Sequence, residues 1–158
     1  MGFKVGDRVI HSSYGLGEIT HVEEKVVHDH LTSCYVFRTT DMMIWIPIND
    51  LQQHSLRRPT SPREFRKLFA ILTSPGEPLP EDRVLRKNQL IMQMRDGQLA
   101  SICRVVRDLT HFKRTTKLND QEKHILERAM NSLLTEWNFS LGVSMSQAQQ
   151  AITEMMGA

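Results

Sequence analysis

The sequence predicts an α+β protein of two domains: a small N-terminal β-barrel of the SH3 or Tudor kind, followed by a compact C-terminal bundle of about five α-helices. Two observations support this fold class. Residues 1–56 contain short stretches rich in aromatic and β-branched side chains, separated by glycine-containing turns. From residue 57 onward, apolar residues recur at helical spacing behind helix-start residues. We therefore expect the domains to span residues 1–56 and 57–158.

The first domain is expected to contain four or five short strands. Gly15 and Gly17 follow the first strand, where glycine allows a positive φ or the close approach of another strand. Ile19 and Val22 are out of phase in the next stretch, which predicts a β-bulge. The stretches with the clearest strand character are 8–11, 17–24, 33–38 and 42–47. Short strands joined by tight turns are typical of a small curved barrel.

The second domain opens with a helix-start signature. Ser61 is expected to be the N-cap, Pro62 the first helical residue and Glu64 the partner that closes a capping box. Four more helices are expected at about 81–94, 97–112, 119–139 and 144–156. Gly142 is expected to end the fourth helix of the bundle. Two further capping-box pairs begin the last two helices: Asn119 with Glu122, and Ser144 with Gln147.

The charge is unevenly distributed along the chain. Residues 1–56 carry four Lys/Arg and seven Asp/Glu, for a net charge of −3. Residues 57–117 carry fourteen and six, net +8, and residues 118–158 carry two and five, net −3. A basic middle segment between acidic ones indicates either a surface that meets a polyanion or a solvated basic surface without a partner.

The sequence motifs of the common enzyme classes are absent. The chain has no GxxxxGK[ST], GxGxxG, GxSxG, HExxH or CxxC motif. His28 and His30 could bind a metal with Asp29 or Cys34, which leaves a metal-dependent enzyme as an alternative. Cys34 and Cys103 lie in apolar stretches and are expected to be buried free thiols in a reducing cytoplasm. We therefore expect a binding protein without a metal or another cofactor.

Both domains contain short motifs that are typical of one protein family. The first domain contains FKVGDRVI at 3–10, YGLG at 14–17 and IWIP at 44–47. The second contains Gly97 and VVRDL at 105–109. Together these motifs resemble the CarD/CdnL family of bacterial transcription regulators over nearly the whole chain. The first domain alone also resembles the polymerase-interacting domain of the transcription–repair coupling factor.

The resemblance implies a transcription regulator without catalytic activity. Proteins of this family bind the β subunit of RNA polymerase through the barrel. Their helical domain contacts promoter DNA at the upstream edge of the bubble and stabilises the open complex. No apolar run of the sequence is long enough to span a bilayer. We expect a monomeric, cytoplasmic protein that reaches the nucleoid through the polymerase and has no membrane partner.

The resemblance also places residues in roles. Lys25 and Trp45 fall where the barrel of the family contacts the polymerase. Trp45 alternates with Ile44 and Ile46, which predicts an outward tryptophan. Such a side chain is either a binding hot spot or a cover for one end of the barrel.

The cations of the second domain are expected to contact the DNA backbone and minor groove without reading the base sequence. Arg83, Arg86 and Lys87 lie at helical spacings that share a face. The six expected contact residues are Arg83, Arg86, Lys87, Lys113, Arg114 and Lys117. Arg104 and Arg107 are expected on the solvated side of their helix.

One feature of the family is missing. In the family, a tryptophan near the start of the helix before Gly97 inserts as a wedge into the DNA minor groove at the edge of the bubble. Arg83 occupies that position here. An arginine can enter a narrow minor groove but cannot unstack bases, although Leu85 lies close enough to offer an apolar alternative. Trp137 lies on an apolar helical stripe and is expected in the core. The missing wedge leaves open a polymerase-bound protein–protein adaptor with little DNA contact.

Overall fold

The computed structural model describes residues 2–48 and 55–157. The chain forms two compact units that divide between Pro59 and Thr60. Within the described ranges, the first unit is a five-stranded antiparallel sheet and the second holds five helices, which confirms the predicted fold class. The division lies after residue 59 rather than residue 56. The reason is that residues 56 and 57 form a strand that pairs with residues 10 and 11 of the first unit.

The strands of the first unit follow the spatial order β4-β3-β2-β1-β5, and each described pair is antiparallel. The strands are β1 (Arg8–His11), β2 (Gly15–Val27), β3 (His30–Arg38), β4 (Met43–Pro47) and β5 (Leu56–Arg57). Gly15 has a φ of +79°. A Cβ on Gly17 would lie 2.6 Å from the backbone oxygen of Arg38 and from the ring of Phe37. The two glycines therefore serve the two purposes expected of them, a positive φ and a close approach.

The hairpin of β2 and β3 is longer than the sequence predicts. The ladder continues to the pair Val27 and His30. His28 and Asp29 form the two-residue connection, with φ of 50° and 66°. Positive φ at both residues is the geometry of a type I′ turn, whose twist matches that of the flanking strands. The sequence did not predict this extension. An exposed two-stranded ribbon needs no regular apolar alternation, so its residues carry no clear strand pattern.

The predicted β-bulge is present in β2. The register shifts between Ile19 and His21, which makes Thr20 the bulged residue. Ile19 and Val22 consequently face the same side of the sheet although they are three positions apart. The odd-numbered residues that follow the bulge, from His21 onward, face the other side.

Both faces of the sheet bury apolar side chains. The inner face holds the core of the unit, formed by Val9, Ile19, Tyr35, Phe37, Ile46 and Leu56. On the outer face, Cys34 and Val36 of β3 are fully buried as well. Their burial requires a cover on the outer face, and the neighbouring strands supply it.

The helices of the second unit begin and end close to the predicted positions. They are α1 (Pro62–Thr73), α2 (Arg83–Arg95), α3 (Leu99–Lys113), α4 (Asp120–Leu141) and α5 (Met145–Met155). Ser61 caps α1 by accepting the N–H of Glu64, but the carboxylate of Glu64 pairs with Lys67 at 3.0 Å and does not close the predicted capping box. The capping boxes at Asn119 and Ser144 are both formed. Gly142 ends α4 with a φ of +66°. None of the helices within the described ranges is long and apolar enough to cross a membrane.

The helices enclose a continuous apolar core. Trp137 belongs to it, being only 3 % exposed and packed against the rings of Phe65 and Phe69, with centroids 5.2 and 4.9 Å away. Cys103 is fully buried there, and burial raises the pKa of its thiol to about 12. Cys34 and Cys103 are both free thiols, as expected.

The expectation for Arg107 is wrong, because this residue is buried rather than solvated. Its Nε donates to Oδ1 of Asp108 at 2.9 Å, and one terminal nitrogen donates to Oγ of Ser74 at 2.8 Å. The same carboxylate oxygen of Asp108 accepts the backbone N–H of Glu77 at 2.9 Å. These bonds fasten the proline-rich loop after α1 to α3.

Candidate functional site

The outer face of the sheet presents Trp45. This residue is 36 % exposed, whereas Ile46 is buried and Ile44 packs against the core, as the alternation predicts. The indole Nε1 donates to Oε2 of Glu23 at 2.5 Å, and Nζ of Lys25 lies 4.0 Å from the ring centroid. Because β3 separates β4 from β2, the indole must extend across β3 to reach these two side chains.

This crossing explains the burial on the outer face. In the ladder, Cys34 lies beside Glu23, and Val36 lies beside Trp45. The indole and its partners from β2 therefore cover the apolar side chains of β3. Trp45 serves as a cover for the sheet and still exposes more than a third of its surface. Lys25 and Trp45, which the sequence assigned separately, lie in direct contact.

The carboxylate of Glu23 holds this group together. One oxygen accepts the indole N–H, and the other lies 3.5 Å from Nε2 of His21. The hydrogen bond from Trp45 and the nearby imidazole of His21 hold the pKa of Glu23 below its ordinary value of 4.5. Sequence reasoning missed Glu23. The available signal was its two-residue spacing from Lys25 on an exposed strand, which places both side chains on one face.

Within the described residues, β4 forms an edge of the sheet next to Trp45. β4 is the outermost strand at one side of the described sheet and pairs there with β3 alone. Met42 and Met43 at its start are 45 % and 47 % exposed. An unpaired strand edge beside exposed apolar side chains can accept a strand from another protein.

The start of α2 presents cations and apolar side chains together. Arg83 and Lys87 are exposed and lie one helical turn apart. Between them, Val84 and Leu85 are 64 % and 61 % exposed. The carboxylate of Asp82 caps the helix by accepting the N–H groups of residues 84 and 85. Leu85, the apolar alternative to the missing tryptophan, is therefore accessible to a partner.

Arg86 does not share that exposed face. It is 7 % exposed, and its Nε donates to Oε2 of Glu122 at 2.5 Å. A terminal nitrogen donates to the carbonyl oxygens of Pro80 and Glu81 at 3.0 and 3.1 Å. The guanidinium carbon lies 4.9 Å from the ring centroid of Phe112. The prediction that Arg86 shares an exposed face with Arg83 and Lys87 is therefore wrong, since it is buried and its Nε and one terminal nitrogen donate inside the domain.

The buried guanidinium brings three helix ends together. Glu122 lies in the first turn of α4, and Phe112 lies in the last turn of α3. Arg86 itself precedes the fully buried Leu90 by one turn of α2, which is the signal that places it on the inward face. The exposed cations at these helix ends therefore lie at one end of the domain.

An open groove of about 840 Å³ lies between the end of α3 and the start of α4. Its cationic lining consists of Lys113, Arg114, Lys117 and Lys123, all of them exposed. Glu127 is the acidic residue of the lining, and Leu118, Leu126 and Met130 contribute apolar surface. The structure thus groups the three cations predicted after α3 and adds Lys123. Sequence reasoning missed Lys123 because it lies in the acidic C-terminal segment.

Arg114 has a second attachment. One of its terminal nitrogens donates to the backbone oxygen of Met156 at 2.6 Å, beyond the last turn of α5. The other lies 3.5 Å from Nδ1 of His111. Arg114 therefore ties α5 to the end of α3, and Lys113, Lys117 and Lys123 are the less constrained cations of the groove.

The pair His28 and His30 lies at the tip of the β2–β3 hairpin, where His28 forms half of the turn. Within residues 2–48 and 55–157, there is no group of three or more His, Cys, Asp or Glu side chains placed to hold a metal ion. The tip therefore offers His28 and His30 no further ligands from the described chain, and the turn accounts for the local sequence.

A sheet that presents an outward tryptophan and a helical unit that presents a basic groove define a two-domain binding protein. Residues 67–153 match the family described as "CarD, C-terminal domain", and residues 3–60 match the family described as "CarD-like/TRCF RID domain". The chain belongs to the CarD family. A protein of Bacillus subtilis (strain 168) named "Putative transcription factor YdeB" is 27 % identical over 151 residues, covering 92 % of this chain and 96 % of that protein.

Membership identifies the chain as a transcription factor of the CarD-like type, a family of regulators rather than enzymes. The match of the first unit to the RID domain implies an interaction with RNA polymerase in general terms. The sequence resemblance to the CarD/CdnL family is thereby confirmed over both units.

Proposed function

We propose that this protein binds the β subunit of RNA polymerase through the outer face of its sheet and contacts promoter DNA at the upstream edge of the bubble, stabilising the open complex. The observation that carries the DNA part is the convergence of helix ends around Arg86. It gathers the exposed Arg83 and Lys87 of α2 with the cations that line the groove. Such a group can contact several phosphates at once.

The composition of the α2 start supports a polyanionic partner. Asp82 caps the N-terminus of α2, and after this cap the helix begins with the cation Arg83 and has no acidic residue in its first turn. Val84 and Leu85 are exposed apolar side chains beside these cations, and such side chains are typical of a surface that meets a partner. A DNA backbone would favour the cations, and Leu85 would supply apolar contact at a base step where the family has tryptophan.

The outer face of the sheet supports the polymerase part. Trp45 is a large, partly exposed aromatic side chain held against Lys25, and tryptophan is the residue type most enriched in interface hot spots. The neighbouring edge of β4 can add to a sheet of the partner through main-chain hydrogen bonds. Main-chain pairing would supply general affinity, and Trp45 with Lys25 would supply specificity.

Replacing Trp45 with alanine is expected to weaken binding to the polymerase β subunit by about 2 kcal/mol, because a hot-spot side chain is removed. Equilibrium binding of the full chain to the isolated β subunit measures the change. Val22→Ala on β2, an exposed apolar residue on the opposite face of the sheet, is the control, and its binding should stay close to that of wild type. Unchanged binding by Trp45→Ala would place the polymerase contact elsewhere on the sheet.

The DNA part is tested with the groove cations. Replacing Lys117 and Lys123 together with alanine should shorten the lifetime of promoter open complexes formed with polymerase and this protein. It should also lower the slope of log affinity for DNA against log salt by about 2, roughly 0.9 for each phosphate that is no longer neutralised. A control pair of exposed cations on α1, Arg66 and Lys67, should leave both quantities unchanged if replaced in the same way.

The same measurements separate this function from the adaptor alternative, which the missing wedge tryptophan and the buried Arg86 favour. An adaptor would bind polymerase with the Trp45 dependence above but would leave open-complex lifetime unchanged. Equal lifetimes with and without the wild-type protein would therefore contradict stabilisation and leave the polymerase contact intact. A gain in lifetime on Arg83→Trp would mark position 83 as the wedge position.

A further inference from the structure

Trp45 is held by Glu23 of β2, a side chain that has no assigned role in binding and that also meets His21 of the same strand. The two oxygens of one carboxylate, that of Glu23, meet the indole N–H of Trp45 and the imidazole of His21. His21 is itself fixed from its other side, where Nδ1 lies 3.1 Å from Oγ1 of Thr20 at the bulge. Glu23 therefore links Trp45 to the bulged part of β2.

The placement of Glu23 depends on the fold rather than on chance contact. The bulge at Thr20 reverses the facing of the residues that follow, so that His21, Glu23 and Lys25 share the outer face with Trp45. Without it, Glu24 would occupy that face instead. In the folded chain Glu24 is exposed and lies opposite Ser33, on the face that carries Tyr35.

We propose that Glu23 is a positioning residue of the polymerase-binding surface: its carboxylate holds the indole of Trp45 across β3 before the partner arrives. The inference rests on the proposed contact between Trp45 and polymerase. A tryptophan already fixed in its bound orientation loses less rotamer entropy on docking. Glu23 acts through Trp45 and need not touch the polymerase.

Three single variants of the full chain test the positioning role. Glu23→Ala removes the acceptor and should weaken binding to the β subunit about threefold to tenfold, the cost of ordering one large side chain. Glu23→Gln keeps an acceptor oxygen and should bind close to wild type. Glu24→Ala removes the same charge one residue away, on the other face, and should leave binding unchanged.

A double-mutant cycle with Trp45→Phe separates positioning from direct contact. Phenylalanine keeps an aromatic ring but has no N–H for Glu23 to accept. Glu23→Ala should therefore have no further effect in the Trp45→Phe background. An equal reduction of affinity in both backgrounds would overturn the inference, because Glu23 would then act without the indole. A reduction in Glu23→Gln equal to that in Glu23→Ala would overturn it as well, by making charge rather than hydrogen bonding the cause.

The free protein provides an independent measurement. The difference between the fluorescence of wild type and Trp45→Phe isolates the emission of Trp45, since Trp137 is buried in the other unit. Glu23→Ala should lower the anisotropy of that emission, and Glu24→Ala should not. Unchanged anisotropy overturns the positioning role. If Trp45→Ala itself leaves polymerase binding intact, the proposed contact fails, whereas a failure of Glu23→Ala alone removes only this inference.

Discussion

Replacing Arg86 with alanine is expected to lower the free energy of unfolding of the helical domain by about 3–5 kcal/mol, because it leaves the carboxylate of Glu122 buried without its counter-charge. The two side chains are only 9 % and 6 % exposed. The substitution also removes the donors to the carbonyl oxygens of Pro80 and Glu81. Chemical denaturation of the full chain, followed by circular dichroism at the helix band, measures the change.

Two controls identify the cause of that destabilisation. Arg83→Ala removes the same side chain one turn earlier on the exposed face, and its effect should stay within about 0.5 kcal/mol. The double variant Arg86→Met with Glu122→Gln removes both charges and keeps an acceptor for the capping box at Asn119. It should recover much of the stability, because the buried charge is gone. A destabilisation below about 1 kcal/mol for Arg86→Ala would show that water reaches this pair.

Local signals in the sequence were sufficient for most of the fold. Capping boxes at Asn119 and Ser144 and the terminating Gly142 act within one helical turn, so the sequence contains the whole interaction. The bulge was visible for the same reason, as a break in alternation between neighbouring residues of β2. The hairpin extension to His28 was missed, because an exposed ribbon is held by its ladder and turn rather than by an apolar face.

The candidate site was less predictable, since its contacts join distant parts of the chain. Trp45 could be placed facing outward from its neighbours alone. Its partner Glu23 lies 22 positions away, on a strand that is not adjacent to β4. Arg86 could be read as an exposed cation because its partner, Glu122, is 36 positions away. A charge run gives the sign of a surface, whereas only tertiary packing shows which cations are already neutralised.

The second large expected effect concerns Trp137. It is the other tryptophan of the chain, so its role also decides whether it could replace the missing wedge. Trp137→Ala should destabilise the helical domain by about 3–5 kcal/mol, because it leaves a cavity beside Phe65 and Phe69. Phe139→Ala on the same helix is the comparison, and it should cost less because Phe139 is 41 % exposed. Thermal and chemical denaturation of both variants give the two values.

The DNA affinity of Trp137→Ala then decides between a core residue and a wedge. The affinity is measured at a temperature where the variant stays folded. A core residue affects DNA binding only through the folded fraction, so the affinity of the variant should match that of wild type. The opposite pattern, a stable variant with much weaker DNA binding, would place Trp137 at the DNA. In that case the wedge position would not lie at the start of α2. With Trp137 at 3 % exposure, the stacking of its indole on Phe69 favours the first result.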